Sequence, residues 1–149
     1  EFAWDNMIAE GPNAIVHDGT IYLIYSGSLV GIDYTTGLVT APAGQDADLT
    51  DPNVWTKLDY PLQKSGVYNG QWQLGTGHGM WSNDEDGNLI YVFHNAEYEN
   101  GRYGGRDAQV RRVHWSKEGM PILDMQAAEE LNPDYADITM KIVVSGNKG

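Results

Sequence analysis

Glu10-Gly11-Pro12 mounts a carboxylate on a constrained stretch of backbone just before a β-hairpin. Pro12 fixes its own φ, removes one backbone donor and biases Gly11 away from the α region, so Glu10 has no helix to join. Asp18-Gly19 is a strong turn signal, and the runs on either side are rich in β-branched and aromatic residues, which predicts two short antiparallel strands. A stiffly held glutamate at the entrance to such a hairpin suits general acid catalysis. The same three residues also describe a loop carboxylate in water, since short motifs match by accident.

The other candidates for chemistry are sparser. His17, His94 and His114 share no metal-type spacing and lie on predicted strands, so they read as packing or surface residues. Asp84, Asp86 and Gly87 resemble the start of a calcium loop, but its twelfth position is Asn95 instead of glutamate, which leaves a hairpin turn as the better account. With no cysteine there is no disulfide framework, no thiolate metal site and no thiol nucleophile.

These groups need a scaffold, and 149 residues suffice for one domain with a real core. Residues 1–149 are read as a single unit, with Glu1-Phe2 as a cloning-site remnant. A net charge of −12 and a pI near 4.4 argue against nucleic acid or an anionic membrane surface as partner, because both require a positive footprint. Eighteen Gly, nine Tyr and five Trp are the composition of turns and strands.

In chain order, strands are predicted over residues 3–9, for the two arms of the hairpin, and over 32–40 and 53–58. A long loop over 63–77 carries Tyr68 and Trp72. Further strands are expected at 80–82, 89–94, 107–115, 121–123 and 138–144, with one helical piece at 127–131, for about ten strands in all. Asp18-Gly19-Thr20-Ile21-Tyr22 recurs loosely as Asp86-Gly87-Asn88-Leu89-Ile90-Tyr91, and Trp55-Thr56-Lys57 as Trp115-Ser116-Lys117, at offsets of 68 and 60 residues. A repeated four-stranded antiparallel unit marks a β-propeller blade, with a sandwich as the alternative. The expected fold is an all-β propeller fragment of about two and a half four-stranded blades.

With those residues in view, the chain resembles the C-terminal half of a family 43 glycoside hydrolase, the arabinofuranosidase, arabinanase and xylosidase family built on a five-bladed propeller. Four collinear landmarks carry the resemblance: Glu10-Gly11-Pro12 before Tyr22-Leu23-Ile24-Tyr25-Ser26, Leu49-Thr50-Asp51-Pro52 leading to Trp55, Gly75-Thr76-Gly77-His78, and Gly105-Arg106-Asp107 before a strand ending at Trp115. The resemblance implies that Glu10 is the general acid, that His78 lies on the propeller axis beneath the sugar, near a calcium or other cation, and that Arg106 reaches sugar hydroxyls. It also implies a carbohydrate substrate and secreted or periplasmic residence. The family's usual Gly-Pro-Gly-His-Asn is replaced here by Gly75-Thr76-Gly77-His78-Gly79.

An inverting hydrolase needs a second carboxylate about 6.5–9.5 Å from the acid. In the family that aspartate comes from the N-terminal blades; Asp5, Asp33 and Asp107 are substitutes that no spacing singles out. The chemistry of the chain alone is therefore expected to be incomplete. Of Trp4, Trp72, Trp81 and Tyr68, which offer flat faces either to a sugar or to the core, Trp72 is the expected sugar-stacking residue. Open blade edges predict association, as a homodimer or with a distinct N-terminal half. A non-catalytic propeller scaffold or sugar-binding module is the competing expectation.

Overall fold

The computed structural model describes residues 3–146, so Glu1-Phe2, read as a cloning remnant, lie outside the described residues. Among the described residues ten strands form: β1 (Ala9–His17), β2 (Thr20–Gly27), β3 (Thr35–Pro42), β4 (Thr56–Lys57), β5 (Gly66–Tyr68), β6 (Gln71–Asn83), β7 (Leu89–Glu99), β8 (Arg102–Arg112), β9 (His114–Trp115) and β10 (Pro121–Ile122). They make two four-stranded sheets, ordered β1-β2-β3-β4 and β5-β6-β7-β8, and a two-stranded sheet, β9-β10. Every pairing is antiparallel. This is the all-β, partial-propeller architecture that the repeats predict, with three 3-10 turns as the helical content of the described residues.

Local chemistry sets the hairpins. Asp18 and Gly19 both adopt positive φ, +44° and +74°, the left-handed pair that a tight two-residue hairpin turn requires. Asn69 and Gly70 repeat the device at +48° and +76°, joining β5 to β6. Asp84 closes the β6–β7 turn by accepting from the backbone N–H groups of Asp86 and Asn88, so these acidic residues build a turn, as expected, and not a calcium loop.

The core forms where the two larger sheets meet. Tyr22, Ile24 and Leu38 of the first pack against Trp81, Tyr91 and Phe93 of the second, joined by Val113 and Leu123. Each such large apolar side chain contributes about 1.5–3 kcal/mol on burial, so this seam fixes the sheets against each other.

Several expectations are corrected. Residues 3–8 form turns and bends, and the strand begins only at Ala9. The segment 63–77 is not a long loop: it holds β5, its Asn69-Gly70 turn and the first half of β6. The strand expected at 53–58 is a 3-10 turn, Pro52–Val54, capped by Asp51, followed by only two extended residues. The helical piece is a single 3-10 turn, Ala127–Glu129. Residues 138–144 form no strand, and Ile142, Val143 and Val144 are 76–86% exposed, because an alternating sequence makes a strand only beside a partner edge. The 68-residue match falls on two hairpin turns, Asp18-Gly19 between β1 and β2 and Asp86-Gly87 between β6 and β7, but the two pairs hold different places in their sheets, first and second against second and third. The 60-residue match is not structural: Trp55 precedes the outer strand β4, whereas Trp115 ends β9, which continues β8 past Val113.

Candidate active site

Two backbone irregularities build the site. Between Glu10 and Asn13, β1 takes three residue steps while β2 takes two, from Ser26 to Ile24, so the Gly11-Pro12 pair forms a bulge that re-aims the Glu10 side chain. Gly11 sits at φ +60°, and a Cβ there would lie 3.3 Å from the His78 ring. On β6, similar register shifts fall on both sides of Gly77, and His78 itself adopts φ +50°, a left-handed conformation uncommon outside glycine. The two bulges bring residues 10 and 78 together.

The flanking glycines of His78 have a steric purpose. A Cβ on Gly77 would lie 2.5 Å from the Tyr34 ring, and one on Gly79 would lie 2.2 Å from that of Tyr91. Each glycine admits an aromatic ring against the β6 backbone. That is the physical content of the Gly77-His78-Gly79 sequence, where the resemblance led one to expect a different neighbour. The His78 N–H donates to the buried Ser26 Oγ at 2.6 Å, which pins β6 to the end of β2.

Tyr34 is the centre of the cluster. Its ring is 1% exposed, and its hydroxyl donates to Glu10 Oε1 at 2.6 Å and lies 3.3 Å from His78 Nδ1. The direct His78 Nδ1 to Glu10 Oε1 distance is 3.8 Å, too long for a hydrogen bond, so Tyr34 links the two. Burial, reinforced by the bond to Glu10, pushes the Tyr34 phenol up to about 12. His94 stacks on the same ring with centroids 5.6 Å apart. Burial, then the charges of Arg106 and His78, lower the His94 imidazole to about 4. It is neutral at physiological pH.

Arg106, His78 and His94 line one open hollow of about 340 Å3 together with Met80, Val92 and Ala108. Tyr103 Oη accepts from Arg106 Nε at 2.6 Å, which orients the guanidinium through one of its three nitrogens. Glu10 does not line this hollow; it reaches it through Tyr34 and His78. The sequence-predicted Glu10, His78 and Arg106 are thus assembled at one place. Trp72 is not with them. It is 70% exposed on β6 and borders a separate hollow of about 420 Å3 with Gln73, Asn95, Glu97, Asp107 and Gln109. Of the possible substitute bases, Asp107 borders that second hollow, and Asp5 is buried against Tyr25 and Lys57.

Two members of the cluster escaped sequence reasoning. Tyr34 sits in an unremarkable Asp33-Tyr34-Thr35 stretch, and no signal marks it. His94, read as a packing residue, does pack, but against the tyrosine that holds Glu10, so His78 is not the lone imidazole of the site. His17 stacks on Trp115 at 3.8 Å, and His114 pairs with Glu130 at 2.7 Å, in keeping with packing roles.

The donor set does not make a calcium site by itself. Among the described residues no group of three or more His, Asp or Glu side chains converges as a metal cage. Calcium takes six to eight oxygen ligands, whereas His78 offers one imidazole whose Nδ1 already faces Tyr34.

Comparison with known proteins identifies the family and supports the fold. Residues 3–121 match the family model "Glycosyl hydrolases family 43". An extracellular exo-α-(1→5)-L-arabinofuranosidase of Streptomyces avermitilis is 30% identical over 88% of the chain and 28% of its own length. Alpha-L-arabinofuranosidase 43 of Humicola insolens is 34% identical over 81% of the chain and 26% of its own length. The crystal structure of an α-L-arabinofuranosidase from Lactobacillus brevis superposes with a TM-score of 0.70 at 30% identity, covering 81% of this chain and 39% of that one. The chain therefore spans under a third of the length of the curated relatives it matches. Fold and family match agree: this chain belongs to glycosyl hydrolase family 43.

Proposed function

We propose that the chain supplies the acid-bearing half of a secreted glycosidase that removes arabinofuranosyl units, or related xylosyl units, from plant-type polysaccharide. The observation that carries this reading is the Glu10–Tyr34–His78 arrangement beside the hollow that Arg106 lines. Glu10 hands its proton to the glycosidic oxygen as the bond to the anomeric carbon breaks, and water attacks that carbon from the opposite face, giving inversion. Arg106 binds sugar hydroxyls, and neutral His94 backs the tyrosine. Glu10 is the carboxylate whose charge both Tyr34 and His94 feel, and on this reading the base that activates water is supplied by other blades, as the family resemblance implies. The curated relatives, named as arabinofuranosidases and in part as extracellular, support the arabinosyl preference and secretion.

The test is hydrolysis of an aryl α-L-arabinofuranoside by the chain combined with the preceding blades of a family 43 relative. Glu10→Gln lowers the rate by about 10²–10⁴-fold, the usual contribution of a general acid. No hydrolysis in any combination, or a Glu10→Gln variant as fast as the parent, overturns the reading. Exposed Trp72 favours a second reading, sugar binding without hydrolysis, because an unburied indole beside amide and carboxylate groups is a platform for a sugar ring. The exposed apolar side chains of Val16, Met80 and Ile142–Val144 support association with further blades or with a second copy.

A further inference from the structure

A phenol carries one proton, and in Tyr34 that proton has a definite destination. The 2.6 Å contact runs from the Tyr34 hydroxyl to Glu10 Oε1, an oxygen that accepts whether or not Oε2 carries the acid's proton. The remaining contact, 3.3 Å to His78 Nδ1, then needs a proton on the imidazole side, because the tyrosine oxygen has only lone pairs left. A hydrogen bond along the second contact would thus run from His78 to Tyr34, while Tyr34 donates to Glu10. The relay runs one way.

We propose that Tyr34 is the positioning residue of the general acid: by occupying Glu10 Oε1 it commits Oε2 to the transferable proton, and by accepting from His78 it holds that imidazole as the Nδ1–H tautomer. This deepens the hydrolase reading and rests on it. Three features fit Tyr34 for the task. Its ring is locked, with Gly77 on one side and His94 on the other. Its phenol, pushed up to about 12, stays protonated at every pH where a glycosidase works, so it steers a proton without exchanging its own. The Glu10 side chain is 43% exposed, and among the described residues this is the hydrogen bond that its carboxyl group accepts, which singles out Oε1 of its two oxygens. With Oε1 fixed, Oε2 keeps one direction from which to reach a leaving oxygen.

The experiment has two arms. The first uses the chain itself, with 15N-labelled histidine. The His78 nitrogen shifts report an Nδ1–H tautomer in the parent, and in Tyr34→Phe they move to the Nε2–H form that free imidazoles prefer. The second uses the intact protein and a series of arabinofuranosides graded by leaving group. Acid help matters most for poor leaving groups, so Tyr34→Phe slows those by roughly 10-fold or more, a fraction of the full acid contribution, and dinitrophenyl arabinofuranoside by less than about 2-fold. A variant that is merely looser slows the whole series alike. If Tyr34→Phe fails to fold, 3-fluorotyrosine at position 34 keeps the ring and the bond and alters only the donor strength; it shifts the leaving-group dependence and preserves the tautomer. An unchanged tautomer in Tyr34→Phe, or uniform slowing, overturns the assignment of Tyr34 while hydrolysis itself survives. An intact protein that cleaves none of the series overturns the hydrolase reading and this proposal with it, even where the tautomer is as expected.

Discussion

Gly77→Ala is the sharpest perturbation of the site. An alanine Cβ at this position would sit 2.5 Å and 2.6 Å from two Tyr34 ring carbons and 3.3 Å from Ser26 Oγ. Ordinary contact begins near 3.4 Å, so the ring must retreat by about 1 Å. It has little room, since Tyr34 is 1% exposed and His94 stacks against it. Moving β6 instead strains the Ser26 bond to the His78 N–H. Forced overpacking of this kind costs about 1–3 kcal/mol. For a chain of this size each kcal/mol lowers the unfolding midpoint by roughly 2–4 °C, which gives a drop of about 5 °C. Thermal unfolding followed by near-UV circular dichroism measures it. Tyr34→Phe keeps both clashing carbons and gives no relief in the double variant, whereas Tyr34→Leu removes the far edge of the ring. The Gly77→Ala/Tyr34→Leu pair therefore shows a favourable coupling of about 0.5–3 kcal/mol. An unfolding midpoint for Gly77→Ala within a degree of the parent, or additive effects in the leucine pair, would refute the close approach of Tyr34 to β6.

Two other predictions concern His94 and Trp72. The folded His94 imidazole titrates near 4, below its ordinary value of 6.5, so between those pH values the unfolded chain binds more protons. Stability is fully present above about pH 6.5 and falls as pH drops toward 4, by about 1–2 kcal/mol once partial solvation of the ring is discounted. Urea unfolding of the parent and of His94→Gln between pH 4.5 and 7 checks this; an equal pH slope in both would remove His94 as the source. Because Trp72 borders a hollow apart from the Glu10 cluster, Trp72→Ala weakens binding of arabino-oligosaccharides, measured calorimetrically, by roughly the 10-fold that 1.4 kcal/mol of lost stacking represents. Cleavage of a small aryl arabinofuranoside stays as in the parent; equal loss in both assays would mean that Trp72 belongs to the cluster after all.

The local signals that proved structural are those with a backbone cause. Asp18-Gly19 and Asp84–Asn88 make turns because their side chains and φ angles favour turns wherever they occur. The same logic was available at Asn69-Gly70, yet the glycines and glutamines around it hid the alternation of β6, and the segment read as loop. Conversely, residues 138–144 alternate well and form no strand, because strand formation requires a neighbouring edge that sequence periodicity cannot supply.

The amino-acid sequence by itself determined the all-β class and the hairpin that follows Glu10, because composition, turn chemistry and the Gly11-Pro12 constraint act over a few neighbouring residues; Glu10 and Arg106 stood out as candidates through the family resemblance of their motifs. Only the tertiary structure decided what surrounds Glu10. Tyr34 and His78 reach Glu10 across separations of 24 and 68 residues, through two β-bulges and two glycines that let rings approach backbone. Such contacts depend on how sheets pack and on where their register slips, and no short-range pattern encodes either.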